Sequence, residues 1–269
     1  MSNVKQSKAQ RRAESQQRAA ERRAAELRKK RVSQASRVGA IVVALAAVVL
    51  VIKLATGGTS TGVPPSQKNP HITTQAIPAS LVMVAPPATS LGPEGIPMPS
   101  GPTLATLINA ATGQTVDGVQ CSTGEQTATH VHTHLTIFVN GKAQVVPYGI
   151  GIPGFQAQST PQGVAVGAGN CFYWLHTHAE DGIIHIESPS LTETFTLGQF
   201  FAEWGIPLSS TQMGPVTGKV TAFFASPGNA PGIYHGDPAN LPLGDHYQIQ
   251  LDVGTAIVAP FKLTNWAKL

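Results

Sequence analysis

The chain has 269 residues, 42% of them hydrophobic, two cysteines and a formal charge of +4. That charge hides two opposite parts, net +9 before Lys53 and net −5 from Lys53 onward, so the chain is not a uniformly basic nucleic-acid binder. A lipid-modified lipoprotein is excluded as well, because neither Cys121 nor Cys171 lies in a lipobox.

Residues 1–37 read as a basic segment. Over 5–37 Ala, Arg, Glu and Gln mix without an apolar stripe, which predicts a solvated or membrane-surface helix with anionic lipid headgroups as its simplest partner. No fold that reads nucleic acid accompanies these charges, and no nucleic-acid partner is expected. Residues 38–52 carry no charge, and Lys53 can lay its stem along the bilayer so that Leu54 and Ala55 extend the span. The resulting stretch of about 18 residues is near the lower limit for a membrane-crossing helix. The excess of Lys and Arg before it places the amino terminus in the cytoplasm and the following 214 residues outside the cell membrane. A single-pass anchor over 38–55 is the expectation. A cleaved export signal is the rival, disfavoured by the long lead before the apolar run and by the lack of an Ala-x-Ala site soon after it. Both versions export the His-bearing region.

From 56 to 103 the composition turns to Pro, Ser, Thr and Gly, as in Gly92-Pro-Glu-Gly-Ile-Pro-Met-Pro99, and predicts an extended stalk. Apolar pieces such as Leu81-Val-Met-Val-Ala85 leave open whether parts of it pack on the domain. Residues 104–269 should then form one extracytoplasmic, β-rich domain. Leu135-Thr-Ile-Phe-Val139 runs into Asn140-Gly141 and Lys142-Ala-Gln-Val-Val146, a strong hairpin signal. Strands are also expected at 172–178, 183–187, 219–224 and 247–253. One helix is marked by a capping box, Thr196 with Gln199, and closed by Gly205 before Pro207, with Phe200, Phe201 and Trp204 on its buried face. The fold class is mainly β, an antiparallel sandwich or small barrel with one short helix, preceded by the basic and membrane-spanning helices.

Cys121 and Cys171 each precede a His-bearing strand, and an even pair in an exported domain reads as a disulfide that clamps the two strand starts together. The competing reading makes one or both thiolates metal ligands. A blue-copper site is excluded, since no short Cys, His and Met loop occurs.

Six of the nine histidines fall in two stretches, His130-Val-His-Thr-His134 and His176-Thr-His178 followed by His185. Alternation along a strand sends His130, His132 and His134 to one face while Val131, Leu135, Ile137 and Val139 fill a core on the other. In the second stretch, either a two-residue turn at Asp181-Gly182 or a four-residue loop over 179–182 leaves His176, His178, His185 and Glu187 on one face. A His-x-His pair with a cross-strand His is the arrangement of three-His zinc sites. Neutral imidazole is the commonest nitrogen ligand of zinc and copper, so the expected cofactor is a Zn or Cu ion. His130 and His134 stand about 13 Å apart along a strand, so the first stretch cannot converge on one ion. Two of its members, with His132 and His134 preferred, are expected to face the second set, in one site or in a two-metal site. His130 is an outer candidate, and Glu187 a further one. The bland reading is a pH-responsive or hydrogen-bonded surface patch.

The segment Cys171-Phe-Tyr-Trp-Leu-His-Thr-His178, then Gly182-Ile-Ile-His-Ile-Glu-Ser-Pro189 and Thr196-Leu-Gly-Gln-Phe-Phe201, resembles a family of bacterial, membrane-anchored, exported His-rich proteins. The similarity covers about residues 119–255 and implies anchoring and export; it carries no catalytic roles. Function is therefore read from the histidines. The leading expectation is a metal-binding ectodomain for sensing, buffering or delivery. Its alternatives are a metal-dependent enzyme, with Glu180, Asp181 or Glu187 assisting a zinc-bound water, and a stalked interaction domain without metal. No His-Glu-x-x-His, nucleophile elbow or phosphate-binding Gly loop points to a named reaction.

Overall fold

The computed structural model describes residues 72–107, 110–264 and 266. The basic segment 1–37 and the expected membrane span 38–55 lie outside the described residues. Among the described residues no helix is long and apolar enough to cross a membrane.

Eight strands form the main sheet: β1 (Gln75–Ala76), β2 (Thr129–Val139), β3 (Lys142–Gln144), β4 (Leu175–His176), β5 (Ile183–Ser188), β6 (Val220–Ala225), β7 (Gly232–Tyr234) and β8 (Tyr247–Val253). Their order is β1, β7, β6, β8, β2, β5, β4, with β3 also paired to β2. The β2–β3 hairpin turns on Asn140 and Gly141, both with positive φ, which an Asn-Gly pair adopts at little steric cost. Among the described residues, mainly β with one α-helix is as expected, but the sheet is neither all antiparallel nor closed. Strand β8 runs parallel to β2. A closed barrel needs its two edges to pair, and here the edges β1 and β4 are two residues each. The free side of the β4 segment is also already taken, by hydrogen bonds of Tyr173 N–H to Gly151 O, Thr177 N–H to Ile150 O and Gly149 N–H to Thr177 O.

Period-two alternation gives the sheet two unlike faces. Leu135, Ile137, Ile184, Ile186, Ala222, Phe224, Ile249 and Leu251 point into the main core, where α1 (Leu197–Trp204) supplies Phe200, Phe201 and Trp204. The helix begins on the expected capping box of Thr196 and Gln199, and Gly205 closes it in the left-handed conformation. Burying each Phe ring is worth about 2–3 kcal/mol, so this face holds the helix although Glu203 is buried with it. Both Glu203 carboxyl oxygens lack a hydrogen-bond partner, and burial raises its pKa well above the ordinary 4.5. A carboxyl with a raised folded-state pKa stabilises fully below its unfolded value, and that advantage is lost as pH rises towards the folded one. The unfolding free energy of Glu203→Gln, relative to the parent, should therefore climb by about 1.4 kcal/mol per pH unit above roughly 4.5. Paired denaturant titrations from pH 4 to 8 measure it, and a pH-independent difference would mean that Glu203 stays ionised.

The other face carries the histidines at one end and a row of polar residues on β8 at the other. Asp252 accepts from Val258 N–H at 2.8 Å, Gln250 from Phe261 N–H at 2.8 Å and Gln248 from Leu263 N–H at 2.7 Å, so the returning carboxyl-terminal segment lies across the sheet. Residues 72–103, expected as a stalk, also pair with the domain. Strand β1 pairs with β7, and Met83–Val84 pairs in parallel with Ile257–Val258. Ile96 is fully buried and packs with Ile183 and Leu263. The Pro- and Gly-rich composition hid this because its strands are only two or three residues long: Thr89–Leu91 pairs with Pro97–Pro99, and Met83–Val84 with the carboxyl-terminal segment.

The disulfide joins Cys121 to Cys171, whose Cα atoms are 5.7 Å apart. It excludes both thiolates as ligands. Cys121–Ser122 pairs with Phe172–Tyr173, which lead directly into β4, and so fixes the start of the second histidine stretch.

Candidate metal centre

Strand β5 runs between β2 and β4. On one side His185 is opposite His132, Glu187 opposite His130 and Ile183 opposite His134; on the other His185 is opposite His176. The His176–His185 pairing is the one a four-residue loop over 179–182 produces. All these histidines and Glu187 share the polar face. Two groups of donors result, each with one donor atom per residue within 4.8 Å of the others: His176, His178, His185 and Glu187, and His130, His132 and His185.

The outer nitrogens of three rings are tied down. His176 Nδ1–H donates to the Tyr173 carbonyl at 2.8 Å, His178 Nδ1–H donates to the Val166 carbonyl, and His185 Nε2–H donates to Glu94 Oε1 at 2.8 Å. Each bond sets a tautomer and turns the other nitrogen's lone pair inward, which is how metal-binding imidazoles are oriented. The Nε2 atoms of His176 and His178 then face one another at 3.1 Å. With both Nδ1 atoms protonated and donating, neither neutral ring has a hydrogen to place between them, so two lone pairs meet. Two imidazoles on one tetrahedral zinc, at bond lengths of about 2.0–2.1 Å, hold their nitrogens about 3.3 Å apart. Glu187 Oε1 lies 3.7 Å from His176 Nε2 and 3.6 Å from His185 Nδ1.

Electrostatics agree with this arrangement. Burial, then repulsion from His185, holds His176 well below the ordinary imidazole value and lowers His178 too. Burial with the charges of His185 and His130 takes His132 down to about 3. His185 is the exception: burial opposes its charge, but hydrogen bonds to Glu187 and Glu94 outweigh it and raise its pKa to about 9. Without an ion, a proton rests on His185 while the His132, His176 and His178 rings beside it are neutral. A divalent cation bound at His185 Nδ1 would have to displace that proton.

Glu94 is the residue sequence reasoning missed. It is the one carboxylate among residues 56–103, and it reaches His185 across 91 positions of sequence. That singular acid in a Pro/Gly stretch was the available signal. Burial opposes its charge, yet the His185 hydrogen bond and charge hold it below its ordinary value. Asp181 sits against it and is pushed up to about 8 by burial, then by Glu94. Glu94 Oε2 and Asp181 Oδ2 are both buried without a hydrogen-bond partner, and a proton on Asp181 relieves the repulsion between the two carboxyls. The chain Asp181–Glu94–His185 thus steadies the inward nitrogen from behind.

The remaining expected candidates lie outside the two donor groups. His134 shares the face but is opposite Ile183; its Nε2 pairs with the Asp181 carbonyl at 3.1 Å and its ring meets Phe261, so it belongs to neither group. Burial holds it neutral, with pKa lowered to about 4. The pair of the first stretch that faces the centre is therefore His130 and His132, not His132 and His134, because the β2–β5 register puts Glu187 and His185 opposite the first two and Ile183 opposite His134. Glu180 is in neither group, and Asp181 acts behind Glu94 rather than on a ligand position. Tyr173 and Trp174 pack in the core. His235 pairs with Gln75, and the His246 ring stacks on Trp266 while its backbone N–H donates to the His132 carbonyl at 2.8 Å; neither belongs to a donor group.

No protein-family model, curated protein or solved structure matches this chain.

Proposed function

We propose that the chain is a transition-metal-binding protein that holds a zinc or copper ion on His176, His178, His185 and Glu187. The observation that carries this reading is the His176–His178 contact, two Nε2 lone pairs 3.1 Å apart with both Nδ1 atoms committed to backbone carbonyls. A pH-sensing patch does not account for it, since burial and neighbouring charges keep both rings neutral near pH 7 and leave the lone-pair repulsion in place. Three imidazoles and one carboxylate complete a tetrahedral shell, which favours holding the ion for sensing, buffering or delivery over activating a water. Membrane anchoring by residues 38–55, with the domain outside the cell, belongs to the same proposal. The Cys121–Cys171 bond supports it, because disulfides persist in oxidising compartments.

The test is elemental analysis and zinc titration of the full-length chain. The parent should retain metal through desalting, and His178→Ala and His176→Ala should each weaken binding by at least tenfold to a hundredfold. A parent that stays metal-free after incubation with zinc and with copper, or variants that bind as tightly as it does, would overturn the reading.

A further inference from the structure

We infer that the centre binds two metal ions, the second held by His130 and His132 beside the first, with Glu187 bridging them and His185 standing between. The inference rests on the single-ion reading above and extends it. A single ion bonded at about 2.0–2.2 Å gathers donors no more than about 4.4 Å from one another. The six donor residues fall instead into two groups that share only His185. Strand register explains the division. Strand β5 supplies His185 and Glu187 in the middle, β2 supplies His130 and His132 on one side, and β4 supplies His176 on the other, with His178 two residues beyond it. Paired strands lie about 4.8 Å apart, so the grooves flanking β5 are about that far from one another. Bridged two-metal sites have separations of about 3.5–4 Å.

The second group has the spacing of the first. His132 Nε2 is 3.1 Å from His185 Nδ1, and His130 Nε2 is 3.2 Å from Glu187 Oε1. Glu187 is 2% exposed and its Oε1 is approached by His130, His176 and His185, while Oε2 is buried without a hydrogen-bond partner. A buried carboxylate oxygen left over at the junction of two imidazole groups is what a bridging carboxylate needs. The donors are five imidazoles and one carboxylate, which suits late first-row divalent cations rather than calcium or magnesium. The His130 side chain is 44% exposed whereas His176 is fully buried, so the second ion is the more exchangeable of the two.

Zinc titration of the full-length chain, with elemental analysis after desalting, tests this. Two equivalents are expected, the second bound more weakly. His130→Gln and His132→Gln should each remove the second equivalent and leave the first, while His178→Ala should remove the first. His130 is exposed enough that its replacement leaves the fold in place. Loading with Cu(II) should give a spin-coupled electron paramagnetic resonance signal that is lost in His130→Gln. One equivalent in the parent, unchanged by both β2 variants, would overturn the two-ion inference and leave the single-ion reading standing; two equivalents insensitive to His130 and His132 would overturn it as well. A metal-free parent would overturn both.

Discussion

Replacing Cys121 and Cys171 together by Ser is expected to lower the unfolding free energy of the full-length chain by about 4 kcal/mol. The bond closes a loop with a sequence separation of 50, and freeing such a loop restores to the unfolded chain about that much conformational entropy. Domains of this kind are stable by only about 5–15 kcal/mol, so the loss is a large fraction of the whole. The effect should not stop at stability. Cys121 sits opposite Tyr173, whose carbonyl orients His176, while Ser122 Oγ accepts from Trp174 Nε1–H at 3.1 Å and Gln120 O from Trp174 N–H. Without the bond this short pairing is held only by its own hydrogen bonds, and zinc affinity at the His176–His178 pair should fall with it. Urea unfolding of parent and double variant, each with and without zinc, measures both quantities. A change in stability below about 1 kcal/mol would show that the loop is already constrained in the unfolded chain.

What the sequence made legible is what acts over a few residues. The capping box at Thr196 and Gln199, the Asn140-Gly141 turn, and the alternation that separates His130 and His132 from Leu135 and Ile137 are each written within one element, and each is found in the structure. Parity alone put His176, His178, His185 and Glu187 on one face before any register was known.

What stayed hidden depends on which distant segments lie together. Nothing in the period of β8 says that it runs parallel to β2, and nothing in Gly92-Pro-Glu-Gly-Ile-Pro says that Glu94 reaches His185. Prolines and glycines were read as the mark of solvated chain. Here Gly92 N–H and Ile96 O bond to one another, and the buried Ile96 holds the turn against Ile183. The tight turn is what projects Glu94 over the histidines. His134 shows the complementary case: its residue type and face fitted the site, but one step of two residues along β2 puts it opposite Ile183 and against Phe261, outside the two candidate donor groups. Side-chain type and face are local, whereas the residue across the strand is not.

The register that decides this is set at Gly182, and Gly182→Ala is expected to destabilise the chain by about 3 kcal/mol and to weaken zinc binding with it. Gly182 has φ of 79°, and a Cβ there would stand 2.2 Å from the Leu135 carbonyl oxygen, a backbone atom that cannot step aside. The left-handed conformation alone costs a residue with a Cβ about 1–2 kcal/mol, and relieving the clash adds about 1–3 kcal/mol more. The available relief is to move the start of β5 away from β2, which breaks the hydrogen bond from Leu135 N–H to the Gly182 carbonyl. It also lifts Asp181 from its place beside Glu94 and draws His185 away from His132. A turn residue that touches none of the metal donors should therefore reduce metal binding through geometry alone. The control is Gly228→Ala, where φ is 78° and the space for a Cβ is open: it carries the conformational cost without the clash and should leave zinc binding unchanged. Equal zinc affinity in the parent and Gly182→Ala would show that the β2–β5 register does not govern the centre.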